Sequence, residues 1–271
     1  MIFLSSRHKT LKRCDTPSIH KPKNQFMKLL KRFPLFFVLF LFFSCDEFQL
    51  TDNEIAAGLK SALEVGSKYA LNSLGKDDGF LLDQAVKIGL PPDVATIVKQ
   101  ISKVPGFNLV IKGIEEQLIL TINRAAEASI EEVIPIVLDA ITSMSIQDAK
   151  SILFADNDRA ATNYLLNKTY ESLCDVCGSV IGGALNKPLV SDVSAQKVWG
   201  EFTNVYNSVV NLIGNNPLYT LDHLDTDLTL YTTQKTLDGV FLKVGDEEVK
   251  IRTNVSARVN DLLRKVFGQL D

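Results

Sequence analysis

The chain has 271 residues, 46% of them hydrophobic and 23% charged, with a formal net charge of −3. That is enough chain for one sizeable core or two small ones. Three histidines and four cysteines disfavour a His-rich metal site, a catalytic triad drawn from several histidines, and a disulfide-built scaffold.

Residues 1–26 are polar and mixed, with Arg7, His8, Lys9, Lys12 and Arg13 among them. The basic stretch Met27-Lys28-Leu29-Leu30-Lys31-Arg32 follows, and then an apolar run that ends at Phe42-Phe43. A basic start, a short apolar run and a small residue before the cut are the parts of a secretory signal. A spanning helix needs about 20 apolar residues, and residues 33–43 are too few. Leu41-Phe42-Phe43-Ser44-Cys45 resembles the lipobox of bacterial lipoproteins, in which the cysteine is lipidated and becomes the first mature residue. Phe42 stands where that pattern usually has Leu. Residues 27–44 are therefore expected to be a lipoprotein signal peptide and 45–50 a tether. Residues 1–26 would be a mis-assigned start or a leader. The site of lipidation would be Cys45, anchored in a membrane of the bacterial envelope and facing the periplasm. Asp46 does not decide between inner and outer membrane.

Nine of the 29 basic residues but only one of the 32 acidic ones lie in residues 1–44, so the remainder carries a net charge of −11. An acidic body argues against nucleic acid as a partner. No residue set calls for a cofactor. His8, His20 and Cys14 fall within the leader, leaving His223, Cys174 and Cys177 in the body besides Cys45.

Beyond the tether the periodicity is helical throughout. Thr51-Asp52-Asn53-Glu54 has the form of a capping box, and Ile55, Leu59, Leu63, Tyr69 and Leu74 follow at helical spacing up to Gly75, which suits a left-handed stop. Lys76-Asp77-Asp78-Gly79 reads as a turn, and residues 80–90 have no clear type. Pro91-Pro92 favours a helix start, with a stop before Pro105-Gly106. A strongly apolar helix is expected over 108–128. Ser129-Ile130-Glu131-Glu132 reads as a second capping box, with a kink or restart at Pro135. A short helix should open at Ser145-Ile146-Gln147-Asp148 and a long one should follow Asp156-Asn157-Asp158 and close at Asn186-Lys187-Pro188. Helices are also expected over 192–213, after Asp227 with Gly245 as a weak point, and over 256–267. The reading is an all-α, single compact domain over 51–268, of about eight or nine helices.

Several stretches are familiar together: Ile55-Ala56-Ala57-Gly58-Leu59-Lys60, Asn123-Arg124-Ala125-Ala126-Glu127-Ala128, and Ser143-Met144-Ser145-Ile146-Gln147-Asp148-Ala149. So are Tyr164 with Lys168-Thr169, Leu237-Asp238-Gly239, Glu247-Glu248 with Lys250-Ile251-Arg252, and Asp261-Leu262-Leu263-Arg264-Lys265-Val266-Phe267-Gly268. In order and spacing they resemble the bacterial family called domain of unknown function 4197. The resemblance implies a helical envelope protein, often exported or lipidated, with no assigned activity, so no catalytic residue carries over from it. Cys174 and Cys177 lie outside the family pattern.

Cys174-Asp175-Val176-Cys177 sits far inside a helix, away from the helix start that would stabilise a thiolate. A small apolar face accounts for it, with a disulfide in an oxidising compartment as the alternative. Asp222-His223-Leu224-Asp225-Thr226-Asp227 can supply metal ligands, but acids at a helix entry are expected for capping alone. Asn123, Arg124 and Glu127 form a polar patch at the end of an apolar helix, and a buried Arg124 needs a carboxylate such as Asp139, Asp148, Asp238 or Glu248. Tyr231, Lys235 and Asp238 form a second group. If the two groups converge they make either a structural ion-pair network or a polar ligand pocket. These residues favour a non-enzymatic binding or scaffolding role toward an unknown envelope protein or small ligand. The alternatives are an enzyme working through Arg, Glu, Tyr and Lys, and a carrier of an apolar ligand.

Overall fold

The computed structural model describes residues 50–101, 108–190, 193–213 and 223–271. Residues 1–49, with the expected leader and Cys45, lie outside the described residues, as do Pro105-Gly106, Gly214-Asn215-Asn216-Pro217 and Asp222. Among the described residues there are eight α-helices: α1 (Asp52–Leu74), α2 (Pro92–Ile101), α3 (Asn108–Thr142), α4 (Ile146–Leu153), α5 (Ala160–Leu185), α6 (Ala195–Ile213), α7 (Leu228–Thr253) and α8 (Asp261–Phe267). A minimal antiparallel ribbon, Pro188–Val190 with Val193–Ser194, leads into α6. The described part is an all-α domain.

Four long helices make the core. α1 packs on α3, α3 on α5, α5 on α7 and α7 back on α1, so the four form a ring of neighbours, a four-helix bundle. Their inward faces supply Leu59, Leu63, Ile122, Val133, Leu165, Leu173, Leu237 and Val240, all buried. α4 and α8 close on α1, and α2 leans on α3. Along α5 and α7 the contact is made by small residues: Thr229 and Thr233 face Gly182 and Gly178.

Local chemistry explains most element ends. Thr51 and Glu54 form the expected capping box, and so do Ser145 and Asp148 at the start of α4. The Asp227 side chain accepts from the Leu230 amide and starts α7. Three expectations need correction. Ser129 starts no helix: its hydroxyl donates to the Ala126 carbonyl, and α3 runs unbroken through Pro135. Pro135 and Glu131 are both exposed, so the carbonyl that loses its partner to the proline is left on the water-facing side of the helix. Gly75 is right-handed, at φ −78°; the left-handed residue of that turn is Asp78, at φ 66°. The last helix does not span 256–267. A 3-10 turn, Val255–Ala257, comes first, and Asn260 then caps α8. The break lets Arg258 fold back on α7, where it donates to the Ile251 and Arg252 carbonyls at 3.2 and 3.0 Å. Those carbonyls belong to the last turn of a helix and have no partner within it.

Candidate functional site

Residues 75–91 link α1 to α2 as a long loop laid across the bundle, and side chains of α3 hold it from below. Asn123 is fully buried. Its Oδ1 accepts from the Ile88 amide at 2.9 Å, and its Nδ2 donates to the Ile88 carbonyl at 2.8 Å. One turn on, the buried Glu127 accepts from the Phe80 and Leu81 amides at 3.1 and 3.3 Å. Its other oxygen takes Arg124 Nη1 at 2.6 Å, and Arg124 Nη2 reaches Asp78 at 2.7 Å. The hydrogen bond to Glu127 first, and Asp78 after it, hold the guanidinium more firmly protonated than usual.

The second group holds the same loop from α7. The Tyr231 hydroxyl donates to the Gly89 and Leu90 carbonyls at 3.2 and 3.3 Å, and burial raises its phenol. Lys243 pairs with Asp83. Gly239 lies under the loop, where a Cβ would come 2.8 Å from the Phe80 ring, so a bare backbone is required there. Lys235 and Asp238 pair with each other at 2.9 Å on the surface. Of the second group only Tyr231 reaches the loop that Asn123, Arg124 and Glu127 hold, so the two groups do not form one shared pocket. The side chains of Arg124 and Lys235 are 39% and 49% exposed.

Glu248 is elsewhere. Buried on α7, it accepts from the Ala161 and Thr162 amides at 2.9 and 2.8 Å and from the Thr162 hydroxyl at 2.8 Å. It thus caps the start of α5, whose own cap residue Arg159 supplies no side-chain bond. Arg252 bonds Glu248 at 3.0 Å and donates to the Leu153 and Ile152 carbonyls at the end of α4. One buried ion pair thus closes two helix ends. The sequence reading missed Arg252 and Arg258. The four-residue step from Glu248 to Arg252 on one helix face was the signal for the first.

Asp139 and Asp148 line a recess of about 340 Å³ between the far end of α3, the start of α4 and α5. With them stand Tyr164, Lys168, Thr169 and three serines. Asp148 is held below the usual carboxylate range, first by the Ser145 hydroxyl. Burial raises the Tyr164 phenol. Lys168 Nζ lies 5.6 Å from the centre of the Tyr164 ring. Two other recesses among the described residues bear on function. One of about 470 Å³ carries Arg159, Lys243 and Lys250, each already paired, with Asp246, Asp83 and Glu247. The other, of about 320 Å³, is apolar and lies between α2, α3 and α6, with Trp199, Phe202 and Val94 in its wall.

Cys174 and Cys177 are buried on α5 and are not joined in a disulfide. Burial pushes the Cys177 thiol up to about 11, with a smaller opposing effect from Ser129. Among the described residues no group of three or more His, Cys, Asp or Glu is placed to hold a metal ion, and no helix is long and apolar enough to cross a membrane.

A four-helix bundle whose inter-helix loop and helix ends are fastened by buried polar side chains defines a helical domain with surface recesses. The chain belongs to the family described as "Protein of unknown function (DUF4197)", which it matches over residues 49–268. No curated protein and no solved structure matches it.

Proposed function

We propose that the protein is a lipid-anchored binding domain of the bacterial envelope, held by acyl chains on Cys45 and working without covalent chemistry. One observation supports binding over catalysis. Asn123, Arg124, Glu127, Tyr231 and Glu248, the side chains best suited to acid–base or electrostatic work, are all committed to backbone groups or to each other. Groups engaged this way are spent largely on holding the fold in place. Anchoring rests on the signal-like stretch and Ser44-Cys45. Several acyl chains together hold a protein firmly where one holds it marginally. The chain from Cys45 to Thr51 reaches at most about 20 Å, so the first turn of α1 stands near the bilayer. α4 and α8 pack at that end of α1: Lys150 pairs with Asp52 at 2.7 Å, and Val266 and Leu262 face Gly58. Ile146 and Phe154 at the ends of α4, and Val255, Val259 and Leu270 around α8, are exposed apolar side chains of these elements.

Metabolic labelling with a fatty-acid analogue tests the anchor: the wild type incorporates label and Cys45→Ser does not, and equal labelling of both removes it. Cross-linking in intact cells followed by purification tests the binding role, whose expected result is a discrete partner or ligand.

The carrier alternative has one observation in its favour, the apolar recess beside Trp199. Delipidation followed by mass spectrometry of the purified protein checks it, and an empty recess in protein taken from the native envelope counts against it.

A further inference from the structure

We propose that the recess between α3, α4 and α5 is a binding site for a small zwitterion, an ammonium with a carboxylate or phosphate a few bonds away. This deepens the binding-domain reading and rests on it. The recess differs from the other polar one described above in the state of its charges. Around α7 each of the three cations already has a carboxylate. In the α3–α4–α5 recess neither Asp139 nor Lys168 forms an ion pair among the described residues. Lys168 stands over the Tyr164 ring, and the Asp148 carboxylate acts on it through space without an ion-pair contact. The second carboxylate, Asp148, has one oxygen tied to the Ser145 hydroxyl at 2.8 Å and amide at 3.4 Å.

A carboxylate and an ammonium that lack ion-pair contacts, in one small recess, suit a ligand that carries both complements. The ammonium would go to Asp139. The hydroxyls beside it also fit, because Ser143 and Thr169 spend their protons on the Ala140 and Leu165 carbonyls and are left with lone pairs to accept with. The anionic group would go to Lys168 as a charge-assisted bond, on the side away from Asp148, which engages the Tyr164 phenol. The floor is Ile136 and Ala140, which favours a small or apolar substituent. At about 340 Å³ the recess is near the lower end of small-molecule sites, about 300–1,000 Å³, the size of an amino acid or a headgroup.

Two sources share this chemistry: free α-amino acids and the phosphoethanolamine headgroup of lipids. Isothermal titration of the full-length protein in detergent, with L-alanine, D-alanine and glycerophosphoethanolamine as probes, separates them. Acetate and ethylamine serve as single-charge controls. The expected result is binding of at least one zwitterion, at least about tenfold weaker for either control and for Asp139→Asn or Lys168→Met. The unfolding temperature of both variants should stay near that of the wild type, because both side chains are on the surface. The site is overturned if no probe binds up to about 10 mM. It is equally overturned if a single-charge control binds as well as the zwitterion, or if both variants bind unchanged. The fatty-acid label and the cellular cross-links do not involve Asp139 or Lys168, so they score the anchored binding-domain reading separately from this site.

Discussion

The middle of α3 and its C-terminal end use the same kinds of side chain to opposite effect. Around Asn123 and Glu127 every carboxylate and amide group is matched to a backbone partner or a guanidinium, and the loop over them is sealed. Around Asp139, four turns further along, a carboxylate and a nearby ammonium stand in an open recess without an ion pair. What separates scaffold from candidate site is the company kept by these groups: a polar cluster whose valences are filled internally can stabilise but has nothing left with which to recognise.

The contrast sharpens under substitution. Glu127→Ala removes the acceptor of two buried amides and the inner partner of Arg124, and should cost about 3–4 kcal/mol in urea denaturation, from a penalty of about 1–3 per orphaned group. Asn123→Ala leaves the Ile88 amide and carbonyl unpaired and should cost about 2–3 kcal/mol by the same rule, with faster amide exchange in residues 80–90. Gly239→Ala pushes a methyl against the Phe80 ring and should cost about 1–3 kcal/mol. At the open end, Asp139→Asn and Lys168→Met should change stability by only about 0.5 kcal/mol or less, as exposed positions usually do. A loss above about 2 kcal/mol for either would place the recess with the scaffold.

Acid should act through carboxylates on several elements, the recess included. Asp83 is held low first by Lys243, Asp271 by Arg258 and Asp148 by Ser145. A carboxyl whose folded value lies below its unfolded one binds its proton first in the unfolded chain. The stabilisation is therefore complete above about pH 4, the ordinary carboxylate value, and is lost as pH falls through the lower folded values. Melting temperature should be flat from neutral to about pH 5 and then decline; a maximum below pH 4 would contradict the assignments.

The helices were legible because their information is local. Thr51 with Glu54, Ser145 with Asp148, and the apolar spacing in α5 and α7 announce themselves within a turn or two. Residues 80–90 had no legible type because nothing within that stretch holds it; its partners are Asn123, Glu127 and Tyr231, far along the chain. The start of α5 was misattributed to its neighbours for the same reason, since its cap is Glu248. Of the nine candidate polar residues, the structure brings Asn123, Arg124, Glu127 and Tyr231 to one loop. It pairs Lys235 with Asp238 on the surface, buries Glu248 against α5, and leaves Asp139 and Asp148 in the recess. Spacing named the polar residues of each helix, but not which backbone each would find.

The doubly held loop also sets an order of assembly. Its grip on α3 closes 35 residues at Ile88 and 47 at Phe80, whereas its grip on α7 closes 142 at Gly89. Short closures are entropically cheaper and form sooner. A chain that has made α1 to α3 can seat the loop on one side only, and the seat is completed when α7 arrives. Resistance of residues 80–90 to a protease is thus a clock for folding: partial protection marks the first half of the bundle, and full protection marks its closure.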